Sequence, residues 1–158
     1  MRHLKTYRLF ESDENVVFPE VWYHGTNEDF DEFTLDNMGR NFDSSILGVY
    51  FSQYMNPPPY GATAGEYARN AKMAHGGQAI VYECKLNFEN PLIIDSEGWY
   101  SSNTAVDKQK GDIKRWLKED KYDAVIAYNT EYTDIEDRDF IAVVLDPKNI
   151  EIIKKHIV

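Results

Sequence analysis

The apolar residues of this 158-residue chain fall mainly into short runs that follow one another with few helical patterns between them. In the clearest run, at 78–87, the residues Ile80, Tyr82, Cys84 and Leu86 would share one face of a strand, because successive side chains point to opposite faces. These runs do not alternate regularly with helices, which disfavours a doubly wound parallel sheet. The order favours an α+β domain with a mainly antiparallel sheet, continuous or split, and flanking helices.

The remaining elements follow from hydrophobic periodicity and from the Gly and Pro residues that interrupt it. Helices are predicted at 2–11, 62–75 and 104–119, and Gly76-Gly77 ends the second. The predicted strands lie at 21–24, 47–52, 78–87, 92–95, 122–129, 139–146 and 149–158. An irregular segment at 27–46 carries three apolar anchors, Phe30, Phe33 and Phe42. An acidic loop is predicted at 130–138.

The length of the chain fits a single domain that encloses a real core. Leu4, Tyr7 and Phe10 recur every three residues, which predicts a short amphipathic helix, and a polar linker with Pro19 follows it. We therefore expect an N-terminal helix and linker at 1–20 and one domain at 21–158.

The formal net charge of −10 bears on the partners of the protein. A field of this sign repels phosphate polymers and anionic membranes, so nucleic acid is disfavoured as a partner. Basic clusters occur at 2–8 and 108–118, and the second is expected to be one solvated face of a helix. No apolar run has the length of a membrane-spanning helix, and the N-terminus has no apolar core like that of a signal peptide. We expect a cytoplasmic protein without a membrane partner.

The cysteine and histidine content bears on metal and redox chemistry. The single cysteine, Cys84, excludes an internal disulfide and a multi-cysteine metal site, and its apolar surroundings predict a buried, inert thiol. The four histidines have no metal-ligand spacing, so no metal is expected. The glycines are dispersed, and neither the P-loop nor the dinucleotide-binding pattern is present.

Two short motifs could carry chemistry. His24-Gly25-Thr26 ends a predicted strand, and a glycine at that place lets a ligand approach the backbone closely. In the second motif, Gly-Val-Tyr-Phe-Ser at 48–52, strand alternation puts Tyr50 and Ser52 on one face. Each motif alone also fits a purely structural role, as a strand cap or a half-buried strand.

Two further residues complete the candidate set. Tyr67 lies on the apolar stripe of the helix at 62–75, where packing into the core is the ordinary role. Arg40 could bind a phosphate group, because a guanidinium matches phosphate geometry, or it could be a surface residue.

Taken together, the order and spacing of the two motifs and the Ala-rich helix with Tyr67-Ala68 resemble the ADP-ribosyltransferase superfamily. The resemblance is closest to the diphtheria-toxin and poly(ADP-ribose)-polymerase branch, whose triad is His, Tyr and Glu. The segments 90–92, 122–125 and 145–150 resemble small bacterial and phage members of that branch, and the likeness covers about residues 20–153. It implies a split, mainly antiparallel fold with NAD⁺ as the substrate and no metal.

The resemblance also implies a role for each matching residue. His24 would bond the adenosine-side ribose hydroxyls of NAD⁺, with Thr26 beside it. The backbone of Gly25 would clamp the nicotinamide amide. Tyr50 would stack on the nicotinamide ring and Tyr67 would close the sandwich, and cation–π attraction suits a cationic ring between two tyrosines. Separately from the resemblance, Arg40 is a candidate for binding the pyrophosphate, and Ser52, on the face of Tyr50, is a candidate for supporting the pocket.

The chain departs from the family at the third motif. Alignment on 143–147 puts Ile141 where the family has its Glu, which would bond the ribose 2′-hydroxyl. Three explanations compete. The enzyme could be a mono-ADP-ribosyltransferase whose acidic acceptor or another residue supplies the carboxylate. The carboxylate could be displaced to Asp139, Glu136 or Asp137, and Asp139 has the strand parity of Ile141. The protein could also have lost catalysis.

The implied function is transfer of one ADP-ribose from NAD⁺ to a macromolecular acceptor with release of nicotinamide. The charge favours a protein acceptor over nucleic acid. An NAD⁺ glycohydrolase is a close variant, and an inactive NAD-binding or protein-interaction module is the rival. RNA 2′-phosphotransfer would need more basic residues near the motifs. The resemblance further implies a bacterial or phage effector, acting in the host-cell cytosol if a phage encodes it.

Overall fold

The computed structural model of the chain describes residues 18–34, 48–55, 63–95, 122–128 and 140–158. These segments contain seven strands, one α-helix and one 3-10 helix. In chain order they are β1 (Trp22–Thr26), β2 (Val49–Ser52), α1 (Ala64–His75), β3 (Ile80–Leu86), β4 (Pro91–Asp95), β5 (Ala124–Tyr128), β6 (Phe140–Val144), the 3-10 turn (Pro147–Asn149) and β7 (Ile150–Ile157). The helices predicted at 2–11 and 104–119, the anchor Phe42 and the acidic loop lie outside the described residues, as does most of the proposed N-terminal segment.

The strands form one sheet in the order β4-β5-β6-β2-β1-β3-β7. All neighbours are antiparallel except β4 and β5, which are parallel. The predicted α+β class with a mainly antiparallel sheet is therefore confirmed. No helix in the described part of the chain is long and apolar enough to cross a membrane.

The pairing between neighbouring strands is shortest in the middle of the sheet, between β1 and β2. The strand β1 pairs with β3, and β2 with β6, over the full length of each shorter strand. In contrast, β1 and β2 are in register only at Tyr23 and Ser52. The split therefore separates two halves, β4-β5-β6-β2 and β1-β3-β7, whose backbones are in register at this one pair of residues.

The two faces of the sheet bury different side chains. One face holds a large core that includes many aromatic rings, and the predicted common face of β3 lies there. The buried residues of that core are Trp22, Phe33, Val49, Phe51, Ile80, Tyr82, Cys84, Ile126, Phe140, Ala142 and Val144. The opposite face carries α1, whose Ala64 and Ala68 pack on Ala79 and Val81.

Helix α1 begins and ends at residues that suit those places. The side chain of Thr63 caps its start by accepting a hydrogen bond from the Glu66 N–H at 3.3 Å. The Gly76 N–H donates to the Lys72 carbonyl at 2.8 Å, and Gly76 and Gly77 have φ of 79° and 84°. This left-handed conformation favours glycine, so the predicted stop at Gly76-Gly77 is confirmed.

Strand β1 continues two residues beyond its predicted end at His24. Gly25 pairs with Val81 and Thr26 with Ile80, so both belong to the strand. A Cβ on Gly25 would lie 1.9 Å from the Ala64 carbonyl oxygen. Glycine is therefore required here by the close approach of α1, and it does not mark the end of the strand.

Candidate functional site

Strand register places several candidate residues on the face of the sheet that carries α1. Ser52 lies directly opposite Tyr23 on one side and Ile141 on the other. Residues opposite each other in antiparallel strands share a face, and so do residues two apart on one strand. Tyr50 therefore shares this face with Ser52 and Ile141, and Gly25 shares it with Tyr23.

The split in the sheet opens beside Tyr50 and Gly25. If the register of Tyr23 and Ser52 continued by two residues, Gly25 would lie opposite Tyr50. The strands are no longer paired there, and the side chain of His24 reaches across instead. Its Nδ1 atom lies 2.7 Å from the main-chain oxygen of Tyr50. The structure thus brings the backbones of His24, Gly25 and Tyr50 together at one point of the split. The two side chains do not share a face, because the imidazole packs on Phe51 on the face of the aromatic core and the Tyr50 side chain lies on the face of α1.

The His24 imidazole is held on its other side by aromatic rings. The ring of Phe33 meets it edge-on, with centroids 5.1 Å apart and planes at 83°, and the ring of Phe51 lies at 5.6 Å. The expectation that Phe30 and Phe33 anchor the segment after β1 is confirmed, because both pack on the aromatic core. Sequence reasoning missed that Phe33 touches His24. No local pattern encodes a contact between a strand and a loop that folds back on it.

The surroundings of His24 determine its protonation. Burial lowers the pKa of the imidazole below its ordinary value, and the hydrogen bond to Tyr50 opposes this with a smaller effect. His24 is therefore neutral at pH 7. A carbonyl oxygen only accepts, so Nδ1 carries the proton and Nε2 keeps a lone pair. Nε2 can then accept a hydrogen bond from a hydroxyl group.

Helix α1 places Tyr67 near the same region of the sheet. Tyr67 precedes Ala68, whose backbone nitrogen would be 2.9 Å from a Cβ on Gly25. The start of the helix is hydrogen-bonded to the segment that follows β2, because Ala64 N and Gly65 N donate to the carbonyls of Tyr54 and Met55. The Tyr67 side chain is half-buried, and its burial, together with the charge of Glu66, raises the pKa of its hydroxyl. The phenol is therefore neutral at pH 7.

The hydroxyl groups of Thr26 and Ser52 each accept a hydrogen bond from a backbone N–H two residues further along the chain. The Thr26 hydroxyl accepts from the Glu28 N–H at 3.2 Å, and the Ser52 hydroxyl accepts from the Tyr54 N–H at 3.2 Å. Both side chains are buried, and each shapes the turn that follows its strand. Ser52 lies on the face of Tyr50, whereas alternation along β1 puts Thr26 on the opposite, aromatic face.

Ile141 is half-buried in β6, on the face of Tyr50 and next to Ser52. The start of β6 is held by Gln53, a residue that sequence reasoning did not single out. The Phe140 N–H donates to Gln53 Oε1 at 3.2 Å, and the Gln53 N–H donates to the Phe140 carbonyl at 3.3 Å. Asp139, Glu136, Asp137 and Arg40 lie outside the described residues.

Neither a metal centre nor a thiol nucleophile is found among the residues that the structure describes. No group of three or more His, Cys, Asp or Glu side chains there could hold a metal ion. Cys84 is buried, as expected, and burial raises the pKa of its thiol to about 12. The thiol therefore stays protonated at pH 7 and is a poor nucleophile.

Comparison with known proteins identifies the family of the chain. A family model described as ADP-ribosyltransferase in polyvalent proteins matches residues 18–156. No curated protein and no solved structure matches the chain. The family match spans all seven strands but for the last residue of β7, and it includes both motifs at the split. ADP-ribosyltransferases use NAD⁺ as their substrate. The chain therefore belongs to the family of ADP-ribosyltransferase domains found in polyvalent proteins.

Proposed function

We propose that the protein transfers one ADP-ribose unit from NAD⁺ to a protein acceptor and releases nicotinamide. The observation that carries the proposal is the bond from His24 Nδ1 to the Tyr50 main-chain oxygen at the split, beside Gly25. This bond leaves Nε2 as an acceptor suited to a ribose hydroxyl. It also fixes the distance between the strand that carries the imidazole and the strand that carries the tyrosine.

The nicotinamide ring would lie against Tyr50, with Tyr67 closing the other side. Nicotinamide is cationic while it is part of NAD⁺, and a tyrosine face attracts such a ring by about 0.5–2 kcal/mol. The backbone of Gly25 lies at the edge of the split, where its polar groups would bond the carboxamide. Tyr67 is half-buried on α1, and the contact between α1 and Gly25 supports the placement of Tyr67 near the split.

The reaction would break the bond between ribose C1′ and the nicotinamide nitrogen. The electron pair leaves with nicotinamide, which becomes neutral, and C1′ becomes an oxocarbenium-like centre. A nucleophile of the acceptor then bonds to C1′. A bound, correctly oriented substrate loses little entropy in this step, and nearby negative charge stabilises the developing cation.

The side chain of Ile141 bears on which acceptor suits this site. An isoleucine provides neither a bond to the ribose nor a base to deprotonate an acceptor. An acceptor that carries its own carboxylate needs no base, because its anionic oxygen both stabilises the cation and attacks C1′. We therefore place glutamate or aspartate side chains of a protein first among the acceptors, and single transfer ahead of chain elongation.

The half-buried Ile141 also favours a second candidate, an NAD⁺-binding module that no longer catalyses transfer. Both candidates bind NAD⁺, but only the first converts it to products. Hydrolysis of NAD⁺ by water in the same pocket is a variant of the first candidate, since only the nucleophile differs.

The test is incubation of the protein with NAD⁺ labelled in its adenylate part and a bacterial lysate, followed by separation of labelled protein and released nicotinamide. We expect labelled protein with the wild type and none with His24→Ala or Tyr50→Ala. Tyr50→Phe is the matched control, because it keeps the aromatic face and should retain most of the activity. Nicotinamide without labelled protein would indicate hydrolysis. NAD⁺ binding without either product would indicate the binding module.

A further inference from the structure

The segment that follows β1 folds back over the aromatic face of the sheet and places one ring on His24. Phe33 is nearly buried, with 9% of its surface exposed. Its ring contacts those of His24 at 5.1 Å, Phe30 at 4.9 Å, Phe51 at 5.6 Å and Tyr82 at 5.7 Å. Phe33 is thus the link between the imidazole and the rest of this segment.

Tyr82 of β3 holds the segment from beneath. Its hydroxyl accepts from the Phe30 N–H at 2.8 Å, and its single proton can go to the Phe30 carbonyl at 2.9 Å or to Asp29 Oδ1 at 3.1 Å. The ring of Phe30 stacks on the ring of Tyr82, with centroids 4.5 Å apart and planes at 19°. Both the backbone and the side chain of the segment are therefore fixed to one buried tyrosine.

Lys155 of β7 completes the network from the solvent side. It lies opposite Tyr82 in the sheet, and its Nζ donates to the two carboxylate oxygens of Asp29 at 2.8 and 3.0 Å. The hydrogen bond from Lys155 is the main reason that the pKa of Asp29 is lowered, and Asp29 in turn raises the pKa of Lys155. The pair is consequently ionised at neutral pH.

We propose that Phe33 is a positioning residue for His24, and that Tyr82, Asp29 and Lys155 hold Phe33 in place from outside the site. The inference rests on the proposed function, in which His24 bonds the ribose of NAD⁺. One hydrogen bond at Nδ1 leaves the imidazole free to tilt about that bond. The ring of Phe33, packed perpendicular to the imidazole, removes this freedom and aims Nε2 in one direction.

The first readout needs no substrate. Nitrogen-15 shifts of the His24 imidazole report which nitrogen carries the proton, and His24→Gln assigns the signals among the four histidines. In the wild type without NAD⁺ we expect a single form protonated at Nδ1. We expect mixed forms in Phe33→Ala and in Tyr82→Phe, and a largely single form in Phe33→Leu, which keeps an apolar side chain in contact.

The second readout separates kcat from KM for NAD⁺. Phe33→Ala should lower kcat/KM by about tenfold, as expected for loss of an aromatic contact, and Phe33→Leu should recover much of it. Lys155→Met should lower kcat/KM about two- to threefold through a higher KM. Lys154→Met is the matched control. This substitution removes the same charge from the preceding residue of β7, which lies opposite Glu83, and it should leave kcat and KM unchanged.

The outcomes distinguish the two proposals. Phe33→Ala that stays folded with an unchanged imidazole spectrum would overturn the positioning role, whatever the activity. Equal effects of Lys154→Met and Lys155→Met would overturn the part assigned to the ion pair. A single Nδ1-protonated form in the wild type that becomes mixed in Phe33→Ala, without turnover in the wild type, would support the positioning role and refute transferase activity.

Discussion

The Nδ1 atom of His24 lies 2.7 Å from the main-chain oxygen of Tyr50, across the point where β1 and β2 cease to pair. A side chain thereby takes the place that a backbone donor of β1 would have in a continuous sheet. The bond connects β1 and β2 across the split. It also fixes one nitrogen of the imidazole at the split.

The lowered pKa of His24 gives the stability of the protein a predictable pH dependence. Burial is the main cause, opposed by the smaller effect of the hydrogen bond to Tyr50, and it keeps the folded imidazole neutral below the ordinary pKa of 6.5, where the unfolded chain already binds a proton. Stability contributed by His24 is therefore lost as the pH falls through 6.5 toward the lower pKa of the folded state, by up to about 1.4 kcal/mol per pH unit. Urea unfolding at pH 7.5, 6.5 and 5.5 should show the advantage of wild type over His24→Gln shrinking on acidification. An advantage that grows instead would mean a charged imidazole in the folded protein.

Gly25→Ala should disrupt the contact between β1 and α1. The new Cβ would lie 1.9 Å from the Ala64 carbonyl oxygen, and a backbone atom cannot rotate away. We expect a loss of at least about 3 kcal/mol in the free energy of unfolding, together with loss of NAD⁺ binding. Gly76→Ala is the comparison, because its Cβ would meet no atom within 4 Å and only its φ of 79° opposes the change. Its cost should be about 1–2 kcal/mol, without an effect on binding. Equal losses in the two variants would contradict the packing argument.

Ile141→Glu tests where the missing carboxylate belongs. The new side chain would lie opposite Ser52, on the face of Tyr50, where it would stabilise positive charge on the ribose. We expect release of nicotinamide to rise by about tenfold or more relative to Ile141→Gln, which has the same shape without the charge. If Asp139 already supplies the carboxylate, Asp139→Asn should abolish activity in the wild type and Ile141→Glu should change little. Initial rates of nicotinamide release for the four proteins separate these cases.

Cys84 should be inert in the folded protein. A thiol pKa of about 12 leaves a thiolate fraction of roughly 10⁻⁴ at pH 8, and the side chain has no exposed surface. Labelling by iodoacetamide at pH 8 should be at least about a thousandfold slower in buffer than in guanidinium chloride. Cys84→Ala should retain transferase activity. Fast labelling of the native protein would show that the core around β3 opens readily.

The amino-acid sequence alone was sufficient for much of the fold. The alternation at 78–87 predicted both β3 and its buried face, because a strand that covers a core shows its period directly. The helix at 64–75 and its stop at Gly76-Gly77 were also predictable, since helix ends depend on local backbone preferences. The two motifs around His24 and Tyr50 led to the family that the comparison confirmed.

Other features were decided only by the tertiary structure. Three of these features depend on which segments meet in the folded chain. The strands β1 and β2 are neighbours in register at one pair of residues, the close approach of α1 requires a glycine at position 25, and Phe33 contacts His24. The pair of Asp29 and Lys155 joins residues 126 positions apart and forms because β7 pairs with β3 in one register. A local pattern reports the face that a segment buries, because that depends on its own side chains. The partner that a segment packs against depends on the free energy of the whole sheet, to which segments distant in the sequence also contribute.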